Sequence, residues 1–316
     1  MLVDVRNLKT HFNIGGGRIV HAVDGVSLNI EQNEILGLVG ESGCGKSTLG
    51  KTLAGLQQKT AGDILFQGRA LPDRYTREDF RDLSTNIQMI FQDPYTSLNP
   101  RMTIQEIISE PLRLQEGGRR SDYRELVAQW LEQVGLKRDH LSRYPHEFSG
   151  GQRQRIGIAR ALIVKPRFVV CDEPISALDV SVQAQVINLL QDLKESLGLT
   201  LLFIAHDLSM VRYLCDRMAV MYLGTVVEEG PSDEVYFKPK HPYTRMLIAS
   251  NPVADPHQEK ARAHQPPQGE IPSPINPGVG CRFADRCPEV SERCRQETPI
   301  PRFSDEKRMI ACHLYD

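Results

Sequence analysis

The sequence predicts an α/β fold with a largely parallel sheet, an inserted helical subdomain, and a C-terminal extension rich in proline and cysteine. Over the first two thirds of the 316 residues, short apolar runs alternate with longer amphipathic runs, which is the pattern of an α/β domain. Beyond residue 250 the composition changes, since residues 251–277 hold seven of the 20 prolines. The hydrophobic share of 40% and the charged share of 25% are typical of a globular protein with a sizeable core.

Short apolar runs that end in glycine or polar residues predict the strands. Four of them lie at residues 34–40, 86–92, 167–173 and 200–206. They are too continuous for a half-exposed strand, so we interpret them as strands buried on both faces. Residues 217–230 contain two further apolar runs around a glycine, which predicts two strands joined by a turn.

Amphipathic runs between these strands predict the helices, at residues 46–56, 124–136, 151–164 and 180–197. The stretch 93–166 is mostly helical by this pattern and lies between two predicted strands. We therefore interpret it as a helical subdomain inserted into the α/β core.

The predicted organisation has four parts. The proline-rich stretch suits an extended linker better than a packed helix, so we place a boundary there. The parts are an α/β core of residues 1–92 and 167–235, the helical subdomain 93–166, a helix and proline-rich linker at 236–277, and a four-cysteine region at 278–316.

Charge and hydropathy limit the possible partners and compartment. The formal net charge is -2, which gives no support to a broad basic surface for nucleic acid. No stretch approaches 18 apolar residues, and the first ten residues lack the features of a signal peptide. We therefore expect a cytoplasmic protein without a nucleic-acid partner, whose cysteines are reduced thiols or metal ligands.

A phosphate-binding motif follows the first predicted buried strand. Residues 40–48, GESGCGKST, match G-x-x-x-x-G-K-[ST] between a predicted strand and a predicted helix, which is the context that the motif needs. An ordinary glycine-rich turn is the alternative, and this context disfavours it. Backbone N–H groups would surround the phosphates, the lysine would reach the β and γ phosphates, and the serine would bind Mg²⁺. The candidate residues are Gly40, Ser42, Gly43, Gly45, Lys46, Ser47 and Thr48.

Two strand ends supply candidate catalytic groups. The run RFVVCDEP places Asp172 and Glu173 at the end of a predicted strand, where one carboxylate can hold the metal and the other can polarise the attacking water. An acidic pair can also simply cap a helix, but its position downstream of the phosphate-binding motif favours catalysis. His206 ends the next strand and could contact the γ phosphate, although a strand-end histidine alone is more often structural.

The segment FSGGQRQR, residues 148–155, forms a second candidate anion site. Ser149 and the N–H groups of Gly150 and Gly151 lie at a predicted helix start, where an anion is favoured. Seen alone, the segment could be an ordinary surface helix that carries arginines. Because the chain already has a complete phosphate-binding loop, a second anion site suits an interface shared with another subunit.

These motifs together resemble the ATP-binding-cassette ATPases. The elements GESGCGKST, Gln92 in IFQDP, FSGGQRQR, VVCDEP, SALD at 176–179 and His206 occur in the order that this family uses, over residues 1–235. The resemblance implies that two cassettes form composite sites, in which the serine and glycines of one subunit face the ATP of the other. ATP would hold the dimer closed, and hydrolysis would release it.

The resemblance also implies roles for individual residues. Gln92 would contact Mg²⁺ and water and link the core to the helical insertion, with Glu173 and His206 as catalytic partners. Phe12 would stack on the adenine, which its aromatic face permits. The residues that would act in trans on a partner's ATP are Ser149, Gly150, Gly151, Gln152 and Asp179.

Longer segments are similar to the ATP-binding subunits of dipeptide and oligopeptide permeases, and more so to the second of their two ATPase subunits. These segments include IFQDPYTSLNPRMT, YPHEFSGGQ, ISALDVS, HPYTRML at 241–247, and the cysteine-rich tail. HPYTRML alone is better explained as an ordinary helix start with proline in its first turn. The resemblance implies a peripheral subunit on the cytoplasmic face of the inner (plasma) membrane, in an importer of dipeptides or oligopeptides.

The partners implied are a second ATPase subunit in a heterodimer, two transmembrane permease subunits and, indirectly, an extracytoplasmic peptide-binding protein. Three alternatives stay open. The same machine could import nickel, glutathione or a sugar, the chain could be a soluble cassette ATPase, or it could bind ATP without useful turnover. The presence of both Glu173 and His206 counts against the last alternative.

Four of the seven cysteines lie in the tail, at Cys281, Cys287, Cys294 and Cys312. Their spacing matches neither a zinc ribbon nor a ferredoxin, so it leaves zinc, an iron–sulfur cluster and free thiols open. A proline-rich tail with little core argues for a ligand that supplies folding energy. The permease resemblance favours a structural [4Fe-4S] cluster, with Zn²⁺ as the alternative and His313 as a bystander.

Overall fold

The computed structural model describes residues 1–116, 119–250, 272–304 and 308–316, without the side chains of residues 120 and 121. The chain divides into two compact units. The first unit is built from Met1–Thr52, Gln57–Asp73 and Ala205–Asp316, and the second from Leu53–Leu56 and Arg74–Ile204.

The described residues contain twelve strands. They are β1 (Val3–Asn13), β2 (Ile19–Ile30), β3 (Ile35–Val39), β4 (Ala61–Phe66), β5 (Arg69–Ala70), β6 (Ile87–Ile90), β7 (Phe168–Asp172), β8 (Thr200–Ile204), β9 (Arg217–Tyr222), β10 (Thr225–Pro231), β11 (Arg302–Ser304) and β12 (Arg308–Ile310).

The same residues contain ten α-helices. They are α1 (Lys46–Leu53), α2 (Arg77–Asn86), α3 (Ile104–Glu116), α4 (Arg124–Gln133), α5 (Gly150–Leu162), α6 (Val180–Leu197), α7 (Leu208–Leu214), α8 (Ser232–Phe237), α9 (Pro242–Ala249) and α10 (Glu292–Gln296). None of them is both long enough and apolar enough to span a bilayer.

The first unit contains two groups of strands. An antiparallel sheet has the order β2-β1-β4-β5. The other group has the order β11-β12-β10-β9-β3, in which β3 and β9 are parallel and the remaining pairs are antiparallel. All five residues of β3 are buried, so the loop that follows this strand is anchored in the core of the unit.

In the second unit, β7 lies between β6 and β8, and all three strands are parallel. Every residue of β7 and β8 is buried, as expected for strands covered on both faces. Helices α3, α4 and α5 pack against one another around apolar side chains that include Ile107, Trp130 and Ile158. The catalytic candidates lie at the carboxyl end of β7.

The sequence-predicted strands and helices are confirmed. The runs at 34–40, 86–92, 167–173 and 200–206 contain β3, β6, β7 and β8, and residues 217–230 form β9 and β10 around Leu223 and Gly224. Helix α6 has the predicted bounds, and the helix start within HPYTRML is α9.

Three helices end before the predicted residue. Helix α4 stops at Gln133 because Gly135 has a φ of 73°, and α1 stops at Leu53 ahead of Gly55, whose φ is 72°. Helix α5 ends at Leu162, ahead of Lys165 with a φ of 53°. Left-handed residues of this kind terminate helices.

The antiparallel strands β1, β2, β4 and β5 were not predicted, because their apolar residues are interrupted by polar ones and by register shifts. The tail also adds β12 to the edge of β10, where Glu228 pairs with Ile310. The predicted proline-rich linker falls mainly on residues 251–271, which lie outside the described residues.

Candidate nucleotide-binding and hydrolysis site

The loop between β3 and α1 requires glycine for its path. Gly40 has a φ of 153°, and a Cβ there would lie 2.1 Å from the carbonyl oxygen of Met221. At Gly45, with a φ of 107°, a Cβ would lie 1.9 Å from the carbonyl oxygen of Ala22. Gly43 has open space but a φ of 79°. The loop can therefore pack against its neighbours only with glycine at these positions.

Lys46 is buried and reaches back over this loop. Its Nζ donates hydrogen bonds to the carbonyl oxygens of Gly40 at 2.8 Å and Glu41 at 3.1 Å. Ser47 and Thr48 follow in the first turn of α1 and are half-buried, while Ser42 is exposed. The loop thus presents a cation, hydroxyl groups and a helix start together, which suits phosphate and a hard cation.

Glu173 and Gln92 meet in the second unit, although 81 residues separate them. Gln92 Nε2 donates a hydrogen bond to Glu173 Oε2 at 3.0 Å. Asp172 is buried at the end of β7, whereas Glu173 is half-buried. The carboxylates of the adjacent residues Asp172 and Glu173 therefore differ in their exposure to solvent.

The backbone at Glu173 adopts an unusual conformation. Its φ is 44°, which is uncommon for a residue other than glycine and costs on the order of 1–3 kcal/mol. The N–H group of Glu173 donates to the carbonyl oxygen of Ile204 at 3.0 Å, and its carbonyl oxygen accepts a bond from the Ser176 hydroxyl. These contacts hold the strained residue in place, which is common at catalytic positions.

The segment around Ser149 forms an open helix start. Ser149 is the N-cap of α5, its Oγ accepts from the Gln152 N–H, and Gln152 Oε1 accepts from the Ser149 N–H. A Cβ on Gly151 would lie 2.3 Å from Val182 Cγ1, so glycine lets α5 approach α6 closely. Ser149 stays exposed at this start.

Asp179 is the N-cap of α6 and is exposed. Its side chain makes no capping hydrogen bond, although an aspartate at this position usually does. The neighbouring Leu178 lies 3.5 Å from the position of a Cβ on Gly150. The structure therefore brings the 176–179 segment and the Ser149 segment together within the second unit.

The other predicted residues lie on the first unit. Phe12 is half-buried on β1 opposite Val20. His206 is exposed just after β8 and precedes Asp207, the N-cap of α7. The loop with Lys46 belongs to this unit too, whereas Gln92, Asp172, Glu173 and the Ser149 segment belong to the second unit.

The four tail cysteines line one small pocket, although 31 positions separate the first from the last. Burial raises the pKa of Cys281 to about 11, helped by the charges of the other three thiols, and burial likewise raises the pKa of Cys287 and Cys312. Thiols packed in this way are poor nucleophiles on their own and ionise only with a strong local cation.

Sequence reasoning missed a cluster on β1 and β2. His11, His21 and Asp24 place three possible metal-ligand atoms within 4.8 Å of one another. Burial raises the pKa of Asp24, but the hydrogen bond from His21 and the charge of Arg282 lower it to about 2. Since Arg282 already pairs with Asp24, we interpret the cluster as an ion-pair network.

Comparisons with known proteins identify the family of the chain. The family model described as ABC transporter matches residues 23–176, and that described as oligopeptide/dipeptide transporter, C-terminal region, matches residues 227–294. The dimeric post-hydrolysis structure of the ATP-binding cassette MJ0796 with ADP and Pi has a TM-score of 0.67 and 28% identity, and it covers 73% of this chain and 99% of that one.

Full-length relatives are more similar. The putative oligopeptide transport ATP-binding protein YkfD of Bacillus subtilis is 53% identical over 99% of this chain and 95% of its own length. The oligopeptide transport ATP-binding protein OppF of Salmonella typhimurium is 50% identical over 95% and 92% of the two chains. The chain has the ABC ATPase cassette fold and belongs to the ATP-binding proteins of ABC transporters, in the oligopeptide transport group.

Proposed function

We propose that this protein is the nucleotide-binding subunit of an importer that hydrolyses ATP to drive uptake of dipeptides and oligopeptides. The observation that carries the proposal is the match of both the cassette and the C-terminal region to oligopeptide transport proteins over almost the entire chain. The subunit would act at the cytoplasmic face of the membrane. An extracytoplasmic peptide-binding protein would deliver the cargo.

The contact between Gln92 and Glu173 supports a role in hydrolysis. Glu173 would accept a proton from the attacking water as it approaches the γ phosphate, and Gln92 would hold the carboxylate and the water in line. Lys46 would neutralise the β and γ phosphates, and His206 would contact the γ phosphate. Phe12 would stack on the adenine.

Ser47 and Gln92 would supply oxygen ligands to Mg²⁺, and Asp172 would hold the ion through a water molecule. When bound, Mg²⁺ neutralises charge on the phosphates. Asp172 is buried, which suits a carboxylate with a fixed position near the metal ion. Glu173 would then be the carboxylate that accepts the proton of the attacking water.

The Ser149 segment and Asp179 support composite sites. The chain has a complete phosphate loop and a second exposed helix start, so Ser149, Gly150, Gly151 and Gln152 would face ATP held by a second ATPase subunit. We propose a heterodimer, with Asp179 crossing its interface. In this view residues 93–166 form the helical subdomain that presents the segment to the partner.

A cleft in the second unit suits docking of the membrane subunits. It has a volume of about 640 Å³ and is lined by exposed apolar side chains among others, including Leu56, Phe80, Phe91 and Leu114. Phe91 directly precedes Gln92, which contacts Glu173. A permease helix bound in this cleft would contact Phe91, and its movement could therefore shift the neighbouring Gln92 relative to Glu173.

The four cysteines support a structural [4Fe-4S] cluster in region 278–316. Cys281, Cys287, Cys294 and Cys312 line one small pocket and could supply the four thiolates that such a cluster binds, with Zn²⁺ as the alternative. When bound, the cluster would supply folding energy to the tail.

Iron and sulfide analysis of protein purified without oxygen tests the cluster. We expect about four irons and four sulfides per chain, with loss of both when Cys287 and Cys294 are replaced by serine. A colourless protein with one zinc per chain would show that the four cysteines hold zinc instead.

Affinity purification from gently solubilised native membranes tests the proposed function. A tag on this chain should recover two permease subunits and a second ATPase, identified by mass spectrometry. Recovery of ribosomal or DNA-repair proteins without permeases would favour a soluble cassette ATPase.

A further inference from the structure

The four-cysteine region contacts the phosphate-binding loop through one arginine. Arg286 lies just before Cys287, and its guanidinium makes a bidentate ion pair with Glu41, the second residue of the loop. Nη1 donates to Oε2 at 2.7 Å and Nη2 donates to Oε1 at 2.9 Å. The side chain of Arg286 is 2% exposed and that of Glu41 is 21% exposed. The pair is therefore largely withdrawn from water.

The HPYT segment holds the backbone of Glu41. The N–H group of Glu41 donates to the Tyr243 hydroxyl at 2.9 Å. Tyr243 lies in the HPYT segment and is packed against the rings of Tyr222 and Phe283. Tyr222 also lies 3.4 Å from Arg286, hydroxyl to Nη1. The carboxylate and the backbone N–H of Glu41 are thus both held by residues more than 200 positions away in the sequence.

A carboxylate in this loop would repel the phosphates of a bound nucleotide. The loop must accept a polyphosphate, and Glu41 places a negative charge directly after Gly40, whose carbonyl accepts a bond from Lys46. Like charges separated by several ångströms repel substantially where the effective dielectric constant is well below that of water. A paired cation removes most of that repulsion, and a fixed guanidinium does so while also holding the carboxylate aside.

We propose that Arg286 is a positioning residue for nucleotide binding, which neutralises Glu41 and turns its carboxylate away from the phosphates. The C-terminal region thereby sets the affinity of the phosphate loop for ATP. This inference rests on ATP binding at the loop, and it does not depend on which group the four cysteines hold.

The test is equilibrium binding of a fluorescent, non-hydrolysable ATP analogue with Mg²⁺ to the full-length chain. Arg286→Met leaves the carboxylate unpaired, so we expect binding to weaken about tenfold, the scale of one unit-charge repulsion within about 10 Å at a dielectric constant near 20. Glu41→Gln removes the negative charge and leaves Arg286, so binding should become several-fold tighter. The double variant should return to within about threefold of wild type.

The opposite signs separate electrostatic positioning from a purely structural role. If the pair served only to hold the fold, both single variants would weaken binding and the double variant would not recover it. The corresponding ADP analogue, which carries less charge, should respond less than the ATP analogue in every variant. Arg295→Met is the matched control, since Arg295 lies in the same region and pairs with exposed Asp285.

Several results would overturn the proposal. They are wild-type affinity in Arg286→Met, a double variant as weak as that single variant, or weaker binding in Glu41→Gln. If Arg286→Met does not fold, Arg286→Lys and the double variant carry the test, because neither leaves an uncompensated carboxylate. Both should bind within about threefold of wild type, and a tenfold loss in either would contradict the proposal. An equal loss of ATP binding in Arg295→Met would also overturn the proposal, because that loss would not depend on the charge of Glu41.

Discussion

Replacement of Glu173 by glutamine separates the catalytic role of this residue from its structural role. Glutamine has the same shape, keeps a Cβ at the same φ of 44°, and retains a side-chain oxygen that can accept the bond from Gln92. The backbone bond to Ile204 is unaffected. The substitution therefore removes the proton acceptor and leaves the surrounding contacts in place.

The expected loss follows from that single change. A positioned general base contributes about 10²- to 10⁴-fold to the rate, which corresponds to roughly 3–5 kcal/mol in the activation free energy. ATP affinity should stay within about twofold, because Glu173 does not belong to the phosphate loop. The ATP-bound dimer should also persist for longer, since hydrolysis is what releases it.

Steady-state phosphate release from the assembled complex, together with ATP binding, measures both effects. Glu195→Gln, an exposed position on α6, should hydrolyse ATP at the wild-type rate. If Glu173→Gln retains more than about a tenth of wild-type turnover, Glu173 is not the base. If it loses ATP binding, the residue has a structural role instead.

Two further variants test the partner site and the attachment of the tail. Ser149→Arg should leave ATP binding by the isolated chain unchanged while blocking hydrolysis at the partner's site, and loss of ATP binding by the isolated chain would refute the assignment in trans. Arg308→Met strands the fully buried carboxylate of Glu228, its ion-pair partner, so the free energy of unfolding in urea should fall by about 3–5 kcal/mol. Arg295→Met, whose ion-pair partner Asp285 is also exposed, should cost less than about 1 kcal/mol, and equal losses in the two variants would contradict the reasoning.

Local motifs explain why much of this site could be predicted from the sequence. The phosphate loop is nine contiguous residues, and its glycines are required by the backbone path at Gly40 and Gly45. The buried strand β7 is a continuous apolar run that ends at Asp172 and Glu173. In each case the chemistry and the fold are specified within one short segment.

Contacts between distant segments could not be predicted in the same way. Arg286 and Glu41 are 245 positions apart, and an arginine in a tail or a glutamate in a loop carries no local signal of the other. The pairing of β12 with β10 could not be predicted either, because β12 has only three residues, too few to show an alternation of apolar and polar residues. Such contacts depend on tertiary packing, which a single sequence does not reveal.

The central claim is that ATP hydrolysis by this chain drives peptide uptake. The most direct measurement is accumulation of a labelled oligopeptide in proteoliposomes that contain the complete complex, with the peptide-binding protein on the side opposite ATP. We expect uptake that requires ATP and falls in proportion to hydrolysis in Glu173→Gln. Hydrolysis without uptake of any dipeptide or oligopeptide, in a complex whose subunits are all present, would contradict the account.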